Sequence, residues 1–272
     1  MDRTDKTRLA LPLALGTTSV LMATPTASLT PLRFANGSAS YTSPTGEKIL
    51  ASVNGPGEVS RRDVQNPEEA TLEVLVKPGV GVSGPGERYV EGILRGLLGR
   101  VILMRDKNMA RKGVVVTLVV VENRIVDGKV DVRGGSYLSI LPSLLHAALL
   151  GLLSAGIPMA MTYTSCLIAI SPSGDLLANP STEQIKTSTS LHVLAFTSKG
   201  NLLLNESQGC FNLKQWDDVH DLAATLCYAS SSSQGDGDVA MDGKAGNTLK
   251  DFIRGTVEDK VREEFAWKLT AA

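Results

Sequence analysis

Apolar positions alternate with polar ones at two different periods along this chain, and the switches between them mark the elements. In residues 71–77, Leu72, Val74 and Val76 alternate with Glu73, Leu75 and Lys77, which predicts a half-buried strand. Residues 48–53 (Lys-Ile-Leu-Ala-Ser-Val) predict another strand, entered through the turn chemistry of Pro44-Thr45-Gly46-Glu47 and ended by Gly55-Pro56-Gly57. With the segment around Gly37-Ser38-Ala39 they make a meander over residues 31–56. From residue 87 to 104 the period becomes helical, through Val90, Ile93, Leu94, Leu97, Leu98, Val101 and Ile102. The β-branched run 114–121 predicts a central strand.

Residues 136–155 are apolar nearly all round, as in a buried helix, and Gly156 and Pro158 end it. Residues 162–170 predict a strand, Ser171-Pro172-Ser173-Gly174 a turn, and 175–178 its return. Residues 191–197 and 201–205 predict a hairpin through Ser198-Lys199-Gly200. A helix over 213–228 carries Trp216, Val219, Leu222, Ala223 and Leu226 on one side. The polar loop 61–69 and the charged insertion 122–133, centred on the turn dipeptide Asp127-Gly128, interrupt this order.

The elements imply an α+β fold, a single domain with a mixed sheet and packed helices. We place the domain at 30–228, after an N-terminal extension, 1–29, expected to be flexible. A Ser/Gly/Asp-rich linker follows at 229–247, then a charged amphipathic helix at 248–272 bearing Phe252, Ile253, Val257, Val261 and Phe265. Residues 9–23 faintly resemble a signal peptide, but acids precede them and Pro12 and Gly16 interrupt them. The uncharged stretch 134–174 is long enough to span a membrane. Pro142, His146 and Pro158 punctuate it, and a buried helix followed by a buried strand explains it better.

Composition narrows the chemistry. The chain has 272 residues, 27 Lys and Arg against 28 Asp and Glu, and 4% aromatics. It lacks the basic balance of a protein that grips nucleic acid over its whole surface, and the rings for an extended base-stacking platform. Cys166, Cys210 and Cys227 form no Cys-x-x-Cys pair, and His146, His192 and His220 are scattered, so we expect neither a structural metal nor a cofactor. His146 reads as a satisfied core histidine, and His220, beside Asp217, Asp218 and Asp221, as part of a solvated acidic face.

Residues 79–84 are a literal Gly-x-Gly-x-x-Gly after a strand and before a helix, with Asp106 downstream. In a dinucleotide site the helix starts within the motif. Here Pro78 and Pro85 flank it, the helix is expected to open at Pro85 or later with Ser83 or Gly84 as cap, and Asp106 falls in a polar loop. A mobile loop is the favoured reading, and a nucleotide-binding enzyme the disfavoured one. No Gly-x-Ser-x-Gly elbow is present.

Several motifs occur in an order that resembles the RNase PH family. They are Gly37-Ser38-Ala39, Ala70-Thr71-Leu72-Glu73-Val74 with its glycine-rich loop, Leu144-Leu145-His146-Ala147-Ala148-Leu149 leading to Ala155-Gly156-Ile157-Pro158-Met159, and Ser173-Gly174-Asp175-Leu176 followed by Asn179-Pro180-Ser181-Thr182-Glu183. The resemblance covers about residues 30–228 and implies an RNase PH-like fold of the ribosomal protein S5 domain 2-like kind. It is strongest to the subunits of the eukaryotic RNA exosome ring.

Active members hold phosphate with a Gly-Thr-Arg element at a helix start, where backbone N–H groups and a guanidinium suit an anion. The matching residues are Gly135-Ser136-Tyr137, and Tyr137 lacks the fork. The family's catalytic aspartate and the acid six positions later match Asn179 and Ile185, neither of which ionises. Arginines of the helix after the glycine-rich loop match Gly96 and Gly99.

The resemblance therefore implies a non-catalytic scaffold, with other RNase PH-like subunits in pseudo-dimers and a six-membered ring, cap subunits, a separate nuclease and channel RNA as partners. It implies the nucleus, nucleolus and cytoplasm as locations, and no membrane. Arg61, Arg62, Lys77, Arg88, Arg95 and Arg100 are the candidates for RNA contact. The alternative is an active phosphate-dependent exoribonuclease in which another aspartate, such as Asp175, substitutes.

Overall fold

A computed structural model describes residues 24–58, 68–122, 137–228 and 248–269. Two sheets face each other across one apolar helix. The first runs β1 (Thr26–Leu29), β2 (Gly37–Thr42), β3 (Lys48–Glu58), β5 (Lys112–Glu122), β4 (Thr71–Pro78) in spatial order. It is mixed: β4 and β5 are parallel, joined by α1 (Pro85–Val101), and the other pairs are antiparallel. The second sheet is antiparallel, β7 (Leu176–Ala178), β6 (Tyr163–Ile170), β8 (Ser190–Thr197), β9 (Leu202–Gly209). The helix between them is α2 (Tyr137–Ser154).

α2 has no polar face because both of its sides are covered. It packs on β2 and β3 on one side and on β6 and β8 on the other. Ile140, Leu141, Leu144, Leu145, Leu149 and Leu150 are each at most 1% exposed. Helix and strand therefore explain the uncharged stretch, and the buried fraction of α2 is that of a core helix. Two small residues set the packing distance: a Cβ on Gly151 would lie 3.1 Å from Val53, and one on Gly37 only 2.3 Å from the Ala155 nitrogen. The back of the second sheet carries α4 (Leu213–Tyr228), whose Val219, Ala223 and Cys227, spaced i, i+4, i+8, pack on Cys166, Ile168, Ile170, Leu194 and Phe196. A hydrogen bond to Cys227 and burial push the Cys166 thiol pKa up.

Several expectations need correction. The N-terminal extension was placed at 1–29, but Thr26–Leu29 is a strand of the first sheet. Its Ala27 and Leu29 join the main core beside Phe252 and Val257 of α5 (Leu249–Leu269). β3 does not stop at Gly55-Pro56-Gly57: the register shifts between Asn54 and Gly57, and pairing with β5 resumes to Glu58. α1 ends at Val101, not near Met104, because Ile102 leaves the helix and bridges to Met159. The Leu103 N–H donates to Pro158 and the Ala160 N–H to Val101, so tertiary hydrogen bonds end the helical pattern early.

A short helix, α3 (Thr182–Thr187), was not expected. Its signal is a capping box, in which the Ser181 N–H donates to the Gln184 side chain at 2.8 Å and the Gln184 N–H to the Ser181 hydroxyl. The insertion 122–133 lies outside the described residues except for Glu122, as do the linker 229–247 and most of the loop 61–69.

Glu47 is also not a solvated turn residue. It is 1% exposed and accepts a hydrogen bond from the Ser143 hydroxyl at 2.8 Å. Burial pushes its pKa up to about 7, against that hydrogen bond. His146, one helical turn on, is a satisfied core histidine. Its Nε2 accepts from the Ser165 N–H at 3.1 Å, and burial lowers its pKa to about 4. The Tyr41 ring lies 5.3 Å from His146 and 6.4 Å from Phe252, linking this polar cluster to α5.

Candidate nucleotide site at the start of helix α2

α1 is fixed to its sheet by its own acids. The Glu91 carboxylate accepts from the Val76 N–H at 2.9 Å, and Glu87 accepts from the Gly84 N–H at 2.6 Å. Ser83 donates to the Val76 carbonyl at 3.1 Å. The helix opens at Pro85, past the third glycine, and a carboxylate occupies its first turn. A pyrophosphate there would meet like charge where a dinucleotide site presents free N–H groups. Asp106 lies in the turn before β5, as expected, its carbonyl accepting from the Met109 and Ala110 N–H groups.

Tyr137 is the first residue of α2 and only 4% exposed. Its hydroxyl stands 1.4 Å from where a Cβ on Gly86 would be, so its ring closes the gap between the first turns of α1 and α2. Beside it is a cavity of about 310 Å³ bounded by Tyr89 and Ile93 of α1, Tyr137 and Leu141 of α2, and Glu206 and Gln208 of β9.

Asn179 lies at the same end of α2. β6 runs back along the helix: the Tyr163 hydroxyl donates to the Leu145 carbonyl, and the Ser165 hydroxyl to that of Pro142. Leu167, further along β6, thus approaches the first turns of α2, and its carbonyl accepts from the Asn179 N–H at 3.0 Å. Leu167 pairs with Val193, and Val193 with Glu206. Asn179, Leu167, Val193 and Glu206 therefore form one row across the second sheet. Asn179 has φ of 49°, a left-handed conformation that Asn and Asp tolerate. Ile185, on α3, is half-buried and packs against the main core.

Among the described residues the basic candidates lie on two elements, β4 and α1. Arg61 and Arg62 lie outside the described residues. Lys77 is exposed on β4, the edge strand of the first sheet. Arg88 pairs with Glu91 at 3.1 Å. Arg88 and Arg95, two turns apart on α1, share a face, and Arg100 is rotated about 120° from it. Gly96 and Gly99 are exposed, with open space where a Cβ would stand. His220 is half-buried, 5.5 Å from the Trp216 ring and 5.3 Å from that of Phe196, with Asp221 3.3 Å from its Nδ1.

Sequence reasoning missed Tyr89, Glu206 and Gln208. Tyr89 was hidden by reading α1 for its apolar stripe. The β9 residues follow the hairpin segment 201–205, where the expected strand stopped short.

No family model matches the chain. Exosome complex component RRP46 of Saccharomyces cerevisiae is 31% identical over 187 residues, 66% of this chain and 80% of the yeast protein. An Arabidopsis thaliana protein described as exosome complex exonuclease RRP46 homolog is 29% identical over 59% of this chain and 60% of its own length. Among solved structures, rice Rrp46 superposes with a TM-score of 0.67 at 22% identity, covering 87% of this chain and 95% of the other. A chain of the Archaeoglobus fulgidus exosome with RNA bound to the active site superposes at 0.57, with 13% identity over 74% and 84%. The fold is that of these RNase PH-like proteins, and by its identity to the yeast protein along most of that protein's length the chain belongs to the RRP46 family of exosome components.

Proposed function

We propose that this chain is a non-catalytic subunit of the RNA exosome core ring. It supports 3'-5' RNA processing and decay, ribosomal RNA maturation included, by helping to form the channel that leads RNA to a separate nuclease. Its partners are other RNase PH-like subunits in a pseudo-dimer and hexameric ring, cap subunits, the nuclease and RNA. It works in the nucleus and nucleolus and in the cytoplasm. The Saccharomyces relative is named as an exosome component, which supports the assembly.

The observation that carries the non-catalytic part is the buried Tyr137 ring closed against Gly86. In the active enzymes an arginine fork at this helix start holds phosphate. With Asn179 and Ile185 in place of two acids, the chain has neither the anion ligand nor the proton donor, and positioned acid catalysis alone contributes about 10²–10⁴-fold. The exposed Lys77, Arg88, Arg95 and Arg100, with Arg61 and Arg62, are the proposed RNA contacts, acting on phosphates without sequence preference.

A second reading, a phosphate-dependent exoribonuclease, is favoured by the word exonuclease in the names of the Arabidopsis and rice relatives. One assay separates the two. The purified full chain is incubated with end-labelled RNA with and without inorganic phosphate, and the native complex is weighed by mass spectrometry. Intact RNA and recovery in an assembly of related chains support the scaffold. Phosphate-dependent shortening that an Asp175→Ala change abolishes overturns it.

A further inference from the structure

The closed phosphate site leaves the neighbouring cavity between α1, α2 and β9 without an assigned role, and its lining is chemically specific. Among the described residues, no lysine, arginine or histidine borders it. A phosphate entering would meet the Glu206 carboxylate with no cation from a described residue to offset it. The walls suit a flat heterocycle. Tyr89, 55% exposed, and Ile93 lie one turn apart on the same face of α1, and Leu138 and Leu141 line the α2 side. On the third side are Glu206 and Gln208, whose i, i+2 spacing on edge strand β9 sets their side chains on one face. Neither side chain has a hydrogen-bond partner among the described residues.

We propose that this cavity binds a nucleobase, and among the RNA bases guanine in preference to the others. A carboxylate only accepts hydrogen bonds, so Glu206 selects an edge made of adjacent donors. Guanine offers its ring N1–H beside its amino group, two donors for two carboxylate oxygens. The Gln208 amide can donate to the adjacent carbonyl. Adenine and cytosine offer one amino group. Uracil offers a ring N–H between two carbonyls, which oppose the carboxylate. Tyr89 supplies the stacking surface, a contribution indifferent to base identity. The inference rests on the proposed RNA-handling role only for the source of its ligand. In that setting the cavity holds a base of passing RNA without cutting it.

The test uses the folded full chain and four probes: guanosine, adenosine, uridine and inorganic phosphate, followed by ligand-observed saturation-transfer NMR with competition. Guanosine is expected to bind, to resist displacement by excess phosphate, and to bind more tightly than uridine. Glu206→Ala should reduce guanosine binding about tenfold and remove the preference over uridine. Tyr89→Ala should weaken all nucleosides by about tenfold, and Tyr89→Phe should not. Both positions border an open cavity, and thermal melting checks that the variants fold. Absence of nucleoside binding, displacement of guanosine by phosphate, or unchanged binding in Glu206→Ala overturns the inference. A chain that assembles into the ring but binds no nucleoside overturns it and leaves the scaffold role standing. A chain that binds guanosine but does not assemble does the reverse.

Discussion

The Tyr137 hydroxyl occupies the space that a Cβ on Gly86 would need, 1.4 Å from its ideal position. The two residues therefore fit only as a pair. Gly86→Ala should destabilise the chain by about 1–3 kcal/mol, the usual cost of overpacking. Placing Gly86→Ala in a Tyr137→Ser background should cost less, because the obstructing ring is gone. A double-mutant cycle read by urea unfolding checks this. Additive effects would mean that the contact does not exist in solution.

The contributions of Glu47 and His146 to stability change in opposite senses with pH. Glu47 is raised to about 7 in the fold, so its contribution is present at low pH and is lost as pH rises from the ordinary carboxylate range through 7. His146 is lowered to about 4, so its contribution is present above the ordinary imidazole value and is lost as pH falls towards 4. In the native chain the two trends offset between about pH 4.5 and 6.5. Glu47→Gln should leave a stability that falls steadily on acidification, and His146→Gln one that falls on raising pH towards 7. Each slope should be at most about 1.4 kcal/mol per pH unit. Melting curves from pH 4 to 8 would show two flat profiles if neither group is buried as described.

Asn179 and Ile185 should respond differently to introduced acids. Asn179→Asp keeps a residue type that tolerates positive φ and should change stability by less than about 0.5 kcal/mol. Asn179→Val, β-branched at the same φ, should cost about 1–3 kcal/mol. Ile185→Asp places a charge against the main core and should cost about 1–3 kcal/mol. Equal effects of the two Asn179 variants on the denaturation midpoint would contradict the assigned backbone conformation.

Gly96 and Gly99 lie in a helix with open space around them. Gly96→Arg and Gly99→Arg should each stabilise the chain by about 0.5–1 kcal/mol through helix propensity, raising Tm. Loss of stability would show that this face is occupied.

Most elements were legible because their periodicity is strong. α2 reads as buried from its uniform apolarity, and β4 as half-buried from Leu72, Val74 and Val76. What failed depended on partners distant in sequence. Ile102 continues the helical pattern but is drawn into a bridge with Met159, 57 positions away. Glu47 sits in a turn motif, and only the Ser143 hydroxyl, 96 residues on, makes its burial tenable. At the site, the identities of Tyr137, Asn179 and Ile185 could be read directly, since side-chain chemistry is local. The row that brings Asn179 to Glu206 through Leu167 and Val193 arises from the pairing of β6, β8 and β9, which no local pattern encodes.

α2 is a wall shared by both sheets, and this ties the two halves of the chain into one main core. The strands before α2 and the α2-facing side of those after it complete that core only with residues 137–154, while the second sheet keeps a smaller apolar layer of its own against α4. A substitution anywhere along this helix, at the 4% exposed Tyr137 as much as at Leu144 and beyond, is therefore felt by the one core that both sheets share.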